Sequence, residues 1–270
     1  MVDQAASPTS PSQAPQYKVE GTGPADLVGP LLIYVAGLDG TGQLFFKQSP
    51  RVARCFRVVT FRSRERGQFN YKDLTDDLAA IIRDLSETKA TIVGESFGGT
   101  VALSFALRHP EMVEGLVVIN SFPRFRSRWK IKLAATLAAG LPFRLIWPAR
   151  LLANRLGLYL DGVGREDRRR FWKAIRTVSR EGYARRLQLI ANFDVEDRLG
   201  EIEAPTLLVA GKRDLLIPSA REAQAMAAQM PNATVKIIKG AGHACLLGDR
   251  IRLDELLREH LLEIGGALPR

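Results

Sequence analysis

The chain has 270 residues, of which 46% are hydrophobic, so it can build one large α/β domain and is not globally disordered. Its formal net charge of +10 is compatible with three kinds of partner: nucleic acid, an anionic membrane surface or an acidic substrate. The location of the basic residues along the chain decides among them. The two cysteines, Cys55 and Cys245, lack metal-ligand spacing. They argue against a zinc site and favour a reducing, cytoplasmic compartment.

The N-terminal segment, residues 1–16, is rich in Pro, Ser, Gln and Ala. This composition predicts a disordered tail. The segment has neither the basic region nor the apolar region of a secretory signal. Further along the chain, no window of about 18 apolar residues predicts a membrane span.

Apolar runs and helical stripes alternate along most of the chain. Strands are predicted at Leu31–Val35, Arg57–Phe61, Ala90–Val93, Val113–Asn120, Thr206–Ala210 and Thr234–Ile238, with Tyr17–Glu20 as a short edge strand. Helices are predicted at Lys72–Ser86, Phe97–Arg108, Ser219–Gln229 and Leu246–Ile264. Six or so strands separated by helices predict an α/β fold, with a mainly parallel sheet covered on both faces.

This alternation stops between residues 122 and 190, which we interpret as a helical cap or lid. The remaining segments, 17–121 and 191–270, then form the core. The insertion holds 17 lysine and arginine residues against 4 acidic ones, so the basic excess belongs to it. A basic and aromatic run, Arg124–Lys130, precedes the apolar stretch Ile131–Leu152.

Two interpretations of the insertion stay open at this stage. Its apolar positions can close a lid over a pocket, with the arginines solvated outside. Alternatively, the basic and aromatic residues can dock on an anionic membrane surface, and the two can hold together. Nucleic acid is not expected as a partner, because no recognised binding module is present.

One stretch carries the strongest chemical signal. A β-branched run leads into Gly94-Glu95-Ser96-Phe97-Gly98, and a helical pattern follows. This is the sequence form of a nucleophile elbow, in which Ser96 occupies a tight turn between a strand and a helix. An ordinary glycine-rich turn is the alternative interpretation of five residues alone, but the flanking strand and helix favour the elbow.

A serine hydroxyl needs a base to become a nucleophile, and the base needs an orienting acid. Asp214 and His243 each follow a predicted strand, and so lie at the edge where parallel sheets place their sites. Taken singly, Asp214 could be a salt-bridge partner and His243 a loop histidine. With Ser96 they form a predicted catalytic triad.

The tetrahedral intermediate of acyl transfer also needs two N–H groups that face its oxyanion. Phe97, directly after the nucleophile, and Leu38, in the glycine-rich loop after the first buried strand, are the predicted donors. The spacing of Gly37, Gly40 and Gly42 does not fit a phosphate-binding loop. We expect substrate contacts from Gly37, Asp39, Trp129 and Trp147.

From Leu31 to the C-terminus the chain resembles the α/β-hydrolase superfamily. The matching motifs are Gly94-Glu95-Ser96-Phe97-Gly98-Gly99, Gly211-x-x-Asp214 and Gly240-x-Gly242-His243, in the family's order of nucleophile, acid and base. The insertion takes the place of the family's cap. The run from Gly37 to Gly42 is similar to thioesterase-like and acyltransferase-like members. The family's first antiparallel strands are expected to be reduced or absent before Leu31.

The resemblance implies a serine esterase, lipase or thioesterase that cleaves small-molecule esters or thioesters with apolar acyl groups. No metal or organic cofactor is expected. An acyltransferase with the same triad, and a hydrolase-like protein that binds a ligand without turnover, are the alternatives.

Overall fold

Mostly apolar runs become the central strands of one sheet. The computed structural model describes residues 15–20, 29–127, 131, 132, 136, 160 and 162–264. Within these ranges seven strands pair in the order β1-β3-β2-β4-β5-β6-β7, and every pairing is parallel except β1 with β3. The strands are β1 (Gln16–Val19), β2 (Leu31–Val35), β3 (Arg57–Arg62), β4 (Ala90–Glu95), β5 (Val113–Ile119), β6 (Thr206–Gly211) and β7 (Ala233–Ile238). The predicted α/β fold is confirmed.

Helices cover both faces of the sheet. In the part of the chain that the structure describes they are α1 (Ser49–Val52), α2 (Tyr71–Asp84), α3 (Phe97–Arg108), α4 (Arg165–Arg176), α5 (Arg180–Asn192), α6 (Ser219–Ala227) and α7 (Leu253–Glu263). Alternate residues of β2 enter different cores: Ile33 packs with the cluster under α2, α3 and α6, and Tyr34 packs with the cluster under α1 and α7. Burial on both faces explains why the central strands are continuously apolar.

The order of the strands reverses at β2, which lies between β3 and β4. Such a reversal opens a crevice at the carboxyl ends of the strands, where open α/β sheets bind ligands. Val35 of β2 pairs with Gly94 of β4, so the loops that follow these two strands begin side by side. Glu95 pairs in turn with Ile119 of β5, which places the end of a third strand next to them.

One of the N-terminal predictions needs a correction. Gln16 pairs with Arg62 at the start of β1, so the predicted tail of residues 1–16 extends too far. The same strand confirms the short edge strand predicted at Tyr17–Glu20, shifted by one residue, and it pairs antiparallel with β3. Residues 1–14 lie outside the described ranges.

The prediction of one helix from Leu246 to Ile264 is wrong. A 3-10 turn spans Cys245–Leu247, Gly248 is extended, and α7 begins only at Leu253. The buried side chain of Gln48 accounts for this break. Its amide donates to the carbonyls of Leu246 and Ile251 at 2.7 and 3.2 Å, and its oxygen accepts from the Leu253 N–H at 3.1 Å.

Helix α5 crosses the boundary predicted at residues 190 and 191 between the cap and the core. The helix continues to Asn192, and Leu189 and Ile190 already belong to the main core cluster. The extent of the cap stays a prediction, because most residues from 128 to 161 lie outside the described ranges. Among the helices that the structure describes, none is long and apolar enough to cross a membrane.

Candidate active site

Ser96 lies at the tip of a sharp turn between β4 and α3. Its φ of 54° and ψ of −116° are a conformation that non-glycine residues seldom adopt. Three hydrogen bonds hold it: the Ser96 N–H donates to Ile119 O at 2.8 Å, and the Ser96 carbonyl accepts from the Gly99 N–H at 3.0 Å and from Ser121 Oγ at 2.7 Å. The strained turn is thus fixed by its neighbours.

The glycines of the elbow are required by close backbone contacts. A Cβ on Gly94 would lie 2.3 Å from Gly98 O, and one on Gly98 would lie 2.0 Å from Val35 O. Neither distance is compatible with a side chain, so α3 can pack this close to β2 and β4 only with glycine at both positions. These contacts give the physical reason for the Gly-x-Ser-x-Gly pattern.

The structure brings the three predicted catalytic side chains together. His243 Nε2 lies 3.0 Å from Ser96 Oγ, and His243 Nδ1 lies 2.7 Å from Asp214 Oδ2. Asp214 is itself held in place. Its Oδ1 accepts from the N–H groups of Leu216 and Ile217 at 2.9 and 3.1 Å, and its Oδ2 accepts from the Ser219 hydroxyl. A proton on Nδ1 leaves Nε2 free to accept from the Ser96 hydroxyl.

The glycine-rich loop after β2 passes directly over the nucleophile. A Cβ on Gly37 would lie 3.4 Å from Ser96 Cβ. The Gly37 carbonyl accepts from the Gly40 N–H at 3.0 Å, which closes a turn around Leu38 and Asp39. Among the described residues, the N–H groups of Leu38 and Phe97 have no acceptor. Two unpaired donors beside Ser96 are what an oxyanion hole requires, although both residues stay predicted donors.

Two buried carboxyl groups lie near the nucleophile, that of Asp39 within this loop and that of Glu95 directly before Ser96. Burial raises the pKa of Asp39, while hydrogen bonds from the N–H and hydroxyl of Thr41 to its carboxylate, at 3.0 and 2.7 Å, act in the opposite direction. Burial also raises the pKa of Glu95 to about 7. The carboxylate of Asp39 therefore stabilises the turn, and its contact with substrate stays a prediction.

Asn120 is a residue of the candidate site that the sequence interpretation missed. It follows β5, and its amide donates to the carbonyls of Gly242 and His243 at 3.1 and 2.6 Å, while its oxygen accepts from the Gly211 N–H at 2.7 Å. One side chain thus links the loops that carry the acid and the base. The rule that selected Asp214 and His243, a polar residue at the carboxyl end of a strand, would also have selected Asn120.

Two of the predicted substrate contacts, Trp129 and Trp147, lie outside the described residues. Over the ranges that the structure covers, no group of three His, Cys, Asp or Glu side chains is arranged to hold a metal ion.

Residues 30–249 match the family described as the alpha/beta hydrolase fold. The chain belongs to this family. The match covers the elbow, the glycine-rich loop, Asp214 and His243.

Curated relatives and solved structures are similar over nearly the whole chain. The protein named "Putative carbamate hydrolase RutD" from Serratia proteamaculans is 29% identical over 90% of this chain and 95% of its own length. The structure of MenH from S. aureus aligns with a TM-score of 0.78 at 18% identity, over 94% of this chain and 99% of that one. The enol-lactonase from Burkholderia xenovorans aligns with a TM-score of 0.76 at 18% identity, over 92% and 96%. At these identities the two structures show the shared fold.

Proposed function

We propose that the chain is a serine hydrolase that cleaves carboxylic esters or thioesters with apolar acyl groups through an acyl-serine intermediate. The observation that carries the proposal is the continuous series of hydrogen bonds from Ser96 through His243 to Asp214. A serine in hydrogen-bond contact with an imidazole that a buried carboxylate orients is the arrangement that activates a hydroxyl for attack on a carbonyl.

The reaction follows from this arrangement in two halves. Ser96 Oγ attacks the carbonyl carbon while His243 Nε2 takes the hydroxyl proton, and the oxyanion that forms accepts from the N–H groups of Leu38 and Phe97. When the intermediate collapses, His243 returns the proton to the leaving alcohol or thiol. Water then attacks the acyl-serine with His243 again as base, and the acid and Ser96 are released. Asp214 keeps the imidazole in the productive tautomer throughout.

An apolar cluster beside Leu38 supports the choice of an apolar acyl group. Leu38 packs against a small cluster made by Ala184 and Leu187 of α5, with Tyr183 and Ile131 at its edge. An acyl chain that packs on the partly exposed side chains of this cluster, Leu38, Tyr183 and Ile131, would lose contact with water, which favours binding by about 0.8 kcal/mol for each buried methylene.

A carbamate is the second substrate class to consider, because the Serratia relative is named a carbamate hydrolase. The same serine could attack a carbamate carbonyl. That carbonyl is less electrophilic than an ester carbonyl, because the nitrogen lone pair delocalises into it. The apolar cluster beside Leu38 favours an ester or thioester with a hydrocarbon chain over a small polar carbamate.

A fluorophosphonate probe tests the nucleophile. We expect the probe to label Ser96 in the wild-type protein, and we expect Ser96→Ala to lose both labelling and ester turnover while it unfolds at the wild-type temperature. Ser104→Ala is a matched control, since Ser104 is a buried serine of α3 whose hydroxyl only donates to Thr100 O at 2.9 Å. Turnover retained by Ser96→Ala would refute the triad, and a wild-type protein that neither reacts nor turns over any ester would favour a ligand-binding protein.

Parallel substrate series then separate the classes. Nitrophenyl esters, acyl-thioesters and nitrophenyl carbamates of increasing chain length are compared by kcat/KM. We expect kcat/KM to rise with acyl length and to be higher for esters or thioesters than for carbamates. Preference for a short carbamate would replace the proposed substrate class, and ester products formed from an added alcohol in preference to free acid would indicate an acyltransferase.

We also propose that the cap makes a peripheral contact with an anionic membrane surface. Helix α4 buries Phe171, Ala174 and Ile175 and exposes six basic side chains, Arg165, Arg168, Arg169, Arg170, Lys173 and Arg176. Because its apolar face is already buried in the protein, the contact would be electrostatic and sensitive to salt.

Sedimentation with phosphatidylserine vesicles tests this contact. We expect binding at low salt, its loss at high salt, and weaker binding of the double variant Arg169→Glu and Lys173→Glu. Arg83→Glu reverses an exposed charge on α2 and should bind as the wild type does. Absence of salt-sensitive sedimentation would rule the contact out.

A further inference from the structure

Arg186 of α5 is fully buried, which is rare for an arginine, and the charges of Asp39 and Glu65 act on it favourably. Its guanidinium donates to three backbone carbonyls: Nε to Leu38 O at 2.9 Å, Nη1 to Arg64 O at 3.1 Å and Nη2 to Asp39 O at 3.2 Å. Burial lowers the pKa of Arg186 to about 10, so the group still carries its charge at neutral pH. A buried charge of this kind is costly and needs such partners.

Two of the three acceptors belong to the turn that carries a predicted oxyanion donor. In the preceding peptide unit the Gly37 carbonyl is held by the Gly40 N–H at 3.0 Å, and the Leu38 N–H of that unit points in the opposite direction. Arg186 holds the next two peptide units through the carbonyls of Leu38 and Asp39. Three consecutive peptide planes are therefore fixed, and with them the direction of the Leu38 N–H.

The site around the guanidinium is shaped by two glycines. A Cβ on Gly40, whose φ is +65°, would lie 2.5 Å from Arg186 Cζ. A Cβ on Gly182, one turn earlier in α5, would lie 3.1 Å from Arg186 Nη1 and 3.0 Å from Glu65 Cα. The guanidinium fits between the loop and the first turn of α5 only because Gly40 and Gly182 lack side chains.

We propose that Arg186 is a positioning residue for catalysis, which holds the turn after β2 so that the Leu38 N–H faces the oxyanion. The inference rests on the proposed function, because it assigns a role within the same acyl-transfer site. It also means that α5, which reaches from the predicted cap into the core, supports the oxyanion hole directly. The arginine itself touches neither the substrate nor the triad.

Kinetics of Arg186→Lys and Arg186→Met on a nitrophenyl ester test the proposal. Lysine keeps the charge and can reach only part of the carbonyl set, while methionine keeps the volume and donates nothing. Misplacing one oxyanion donor should lower kcat by about 10²-fold to 10³-fold. We expect a loss of this order for methionine and a smaller loss for lysine, with KM and the pH dependence of kcat/KM unchanged.

A trifluoromethyl ketone provides the readout that a purely structural role would not change. It forms a tetrahedral adduct with the serine, so its affinity should weaken by the same factor as kcat/KM across the variants. Active-site titration corrects each rate for the fraction of folded protein. If methionine prevents folding, the lysine variant alone decides.

Arg185→Met is the matched control. Arg185 is the neighbouring arginine of α5, and its Nε donates to Phe69 O at 2.6 Å, outside the turn after β2. We expect its kcat to stay close to that of the wild type, because the hydrogen bonds of Arg185 go to Phe69 and Gln188 and not to the turn that carries Leu38. A similar loss in both Arg185 and Arg186 variants would show a general effect of α5 and overturn the inference.

Ser96→Ala separates the two proposals. If it retains turnover, the proposed function is wrong. The other outcome is an inactive Ser96→Ala together with an Arg186→Lys variant whose kcat per active site and ketone affinity equal those of the wild type. In that case only the role of Arg186 is overturned.

Discussion

Tyr34 donates a hydrogen bond of 2.6 Å to the Glu95 carboxylate, one residue before the nucleophile. The Tyr34 ring stacks on Phe45 with 4.0 Å between centroids, so the phenol has little freedom to leave its partner. Burial raises the pKa of Glu95 to about 7 despite this hydrogen bond. The carboxyl group beside Ser96 therefore changes charge near neutral pH.

This shift predicts how stability depends on pH. A glutamate in the unfolded chain has a pKa of about 4.3, so as the pH rises the unfolded state loses its proton first. The contribution of Glu95 is complete below that value and is lost as the pH rises through about 7, by on the order of 3 kcal/mol. Chemical denaturation at pH 5 and pH 8 should show a smaller decrease for Glu95→Gln than for the wild type.

The exposed residue Glu114 provides the control for this experiment. Glu114→Gln removes a carboxylate without a buried partner, and its pH dependence should parallel that of the wild type. Parallel curves for Glu95→Gln and wild type would contradict the prediction.

Asp214→Asn should nearly abolish turnover without unfolding the protein. Asparagine can keep the oxygen that accepts from the Leu216 N–H, but an amide facing His243 Nδ1 favours the wrong tautomer. In the serine-protease triad this exchange costs about 10⁴-fold in kcat, and we expect a loss of similar order here. Steady-state kinetics and thermal unfolding of the same sample check it. A decrease below tenfold would mean that Asp214 does not orient the base.

Asn120→Ala should reduce both stability and turnover. It leaves the Gly211 N–H and the carbonyls of Gly242 and His243 without their partner, and each buried group left unpaired costs about 1–3 kcal/mol. His243 then loses a support for its position. Denaturant unfolding and kcat are the measurements.

Asn232→Ala is the matched variant, because the Asn232 side chain makes one hydrogen bond among the described residues, of 2.6 Å to Glu203 O, at an exposed site. It should cost about 1 kcal/mol or less and leave kcat unchanged. Equal effects of the two substitutions would show that Asn120 has no special role in the site.

Two glycines near Ser96 should respond differently to alanine. Gly98→Ala places a Cβ 2.0 Å from Val35 O, which the rigid elbow does not accommodate, so we expect loss of folding.

Gly37→Ala places a Cβ 3.4 Å from Ser96 Cβ, an ordinary contact. This variant should fold but lose about 10-fold to 100-fold in kcat/KM through crowding at the nucleophile. Thermal scans and kinetics distinguish the two, and a stable Gly98→Ala protein would contradict the packing argument.

Much of the fold was predictable, because its central strands are buried on both faces and therefore read as continuous apolar runs. The helix after the elbow, Phe97–Arg108, also has the predicted bounds. The long helix predicted at the C-terminal end was wrong, since Gln48 breaks it from a position about 200 residues earlier in the chain. Local periodicity contains no information on such a distant partner.

The elbow around Ser96, and an acid and a histidine after later strands, could be predicted from local sequence patterns. Those signals are local, because a strand end, a glycine and a polar residue lie within a few positions of one another. The tertiary structure alone decided that His243 reaches both Ser96 and Asp214, and that Asn120 joins their loops. It also decided the environment of Arg186, one arginine among many in a basic segment, which is buried because α5 packs on a turn 148 residues away.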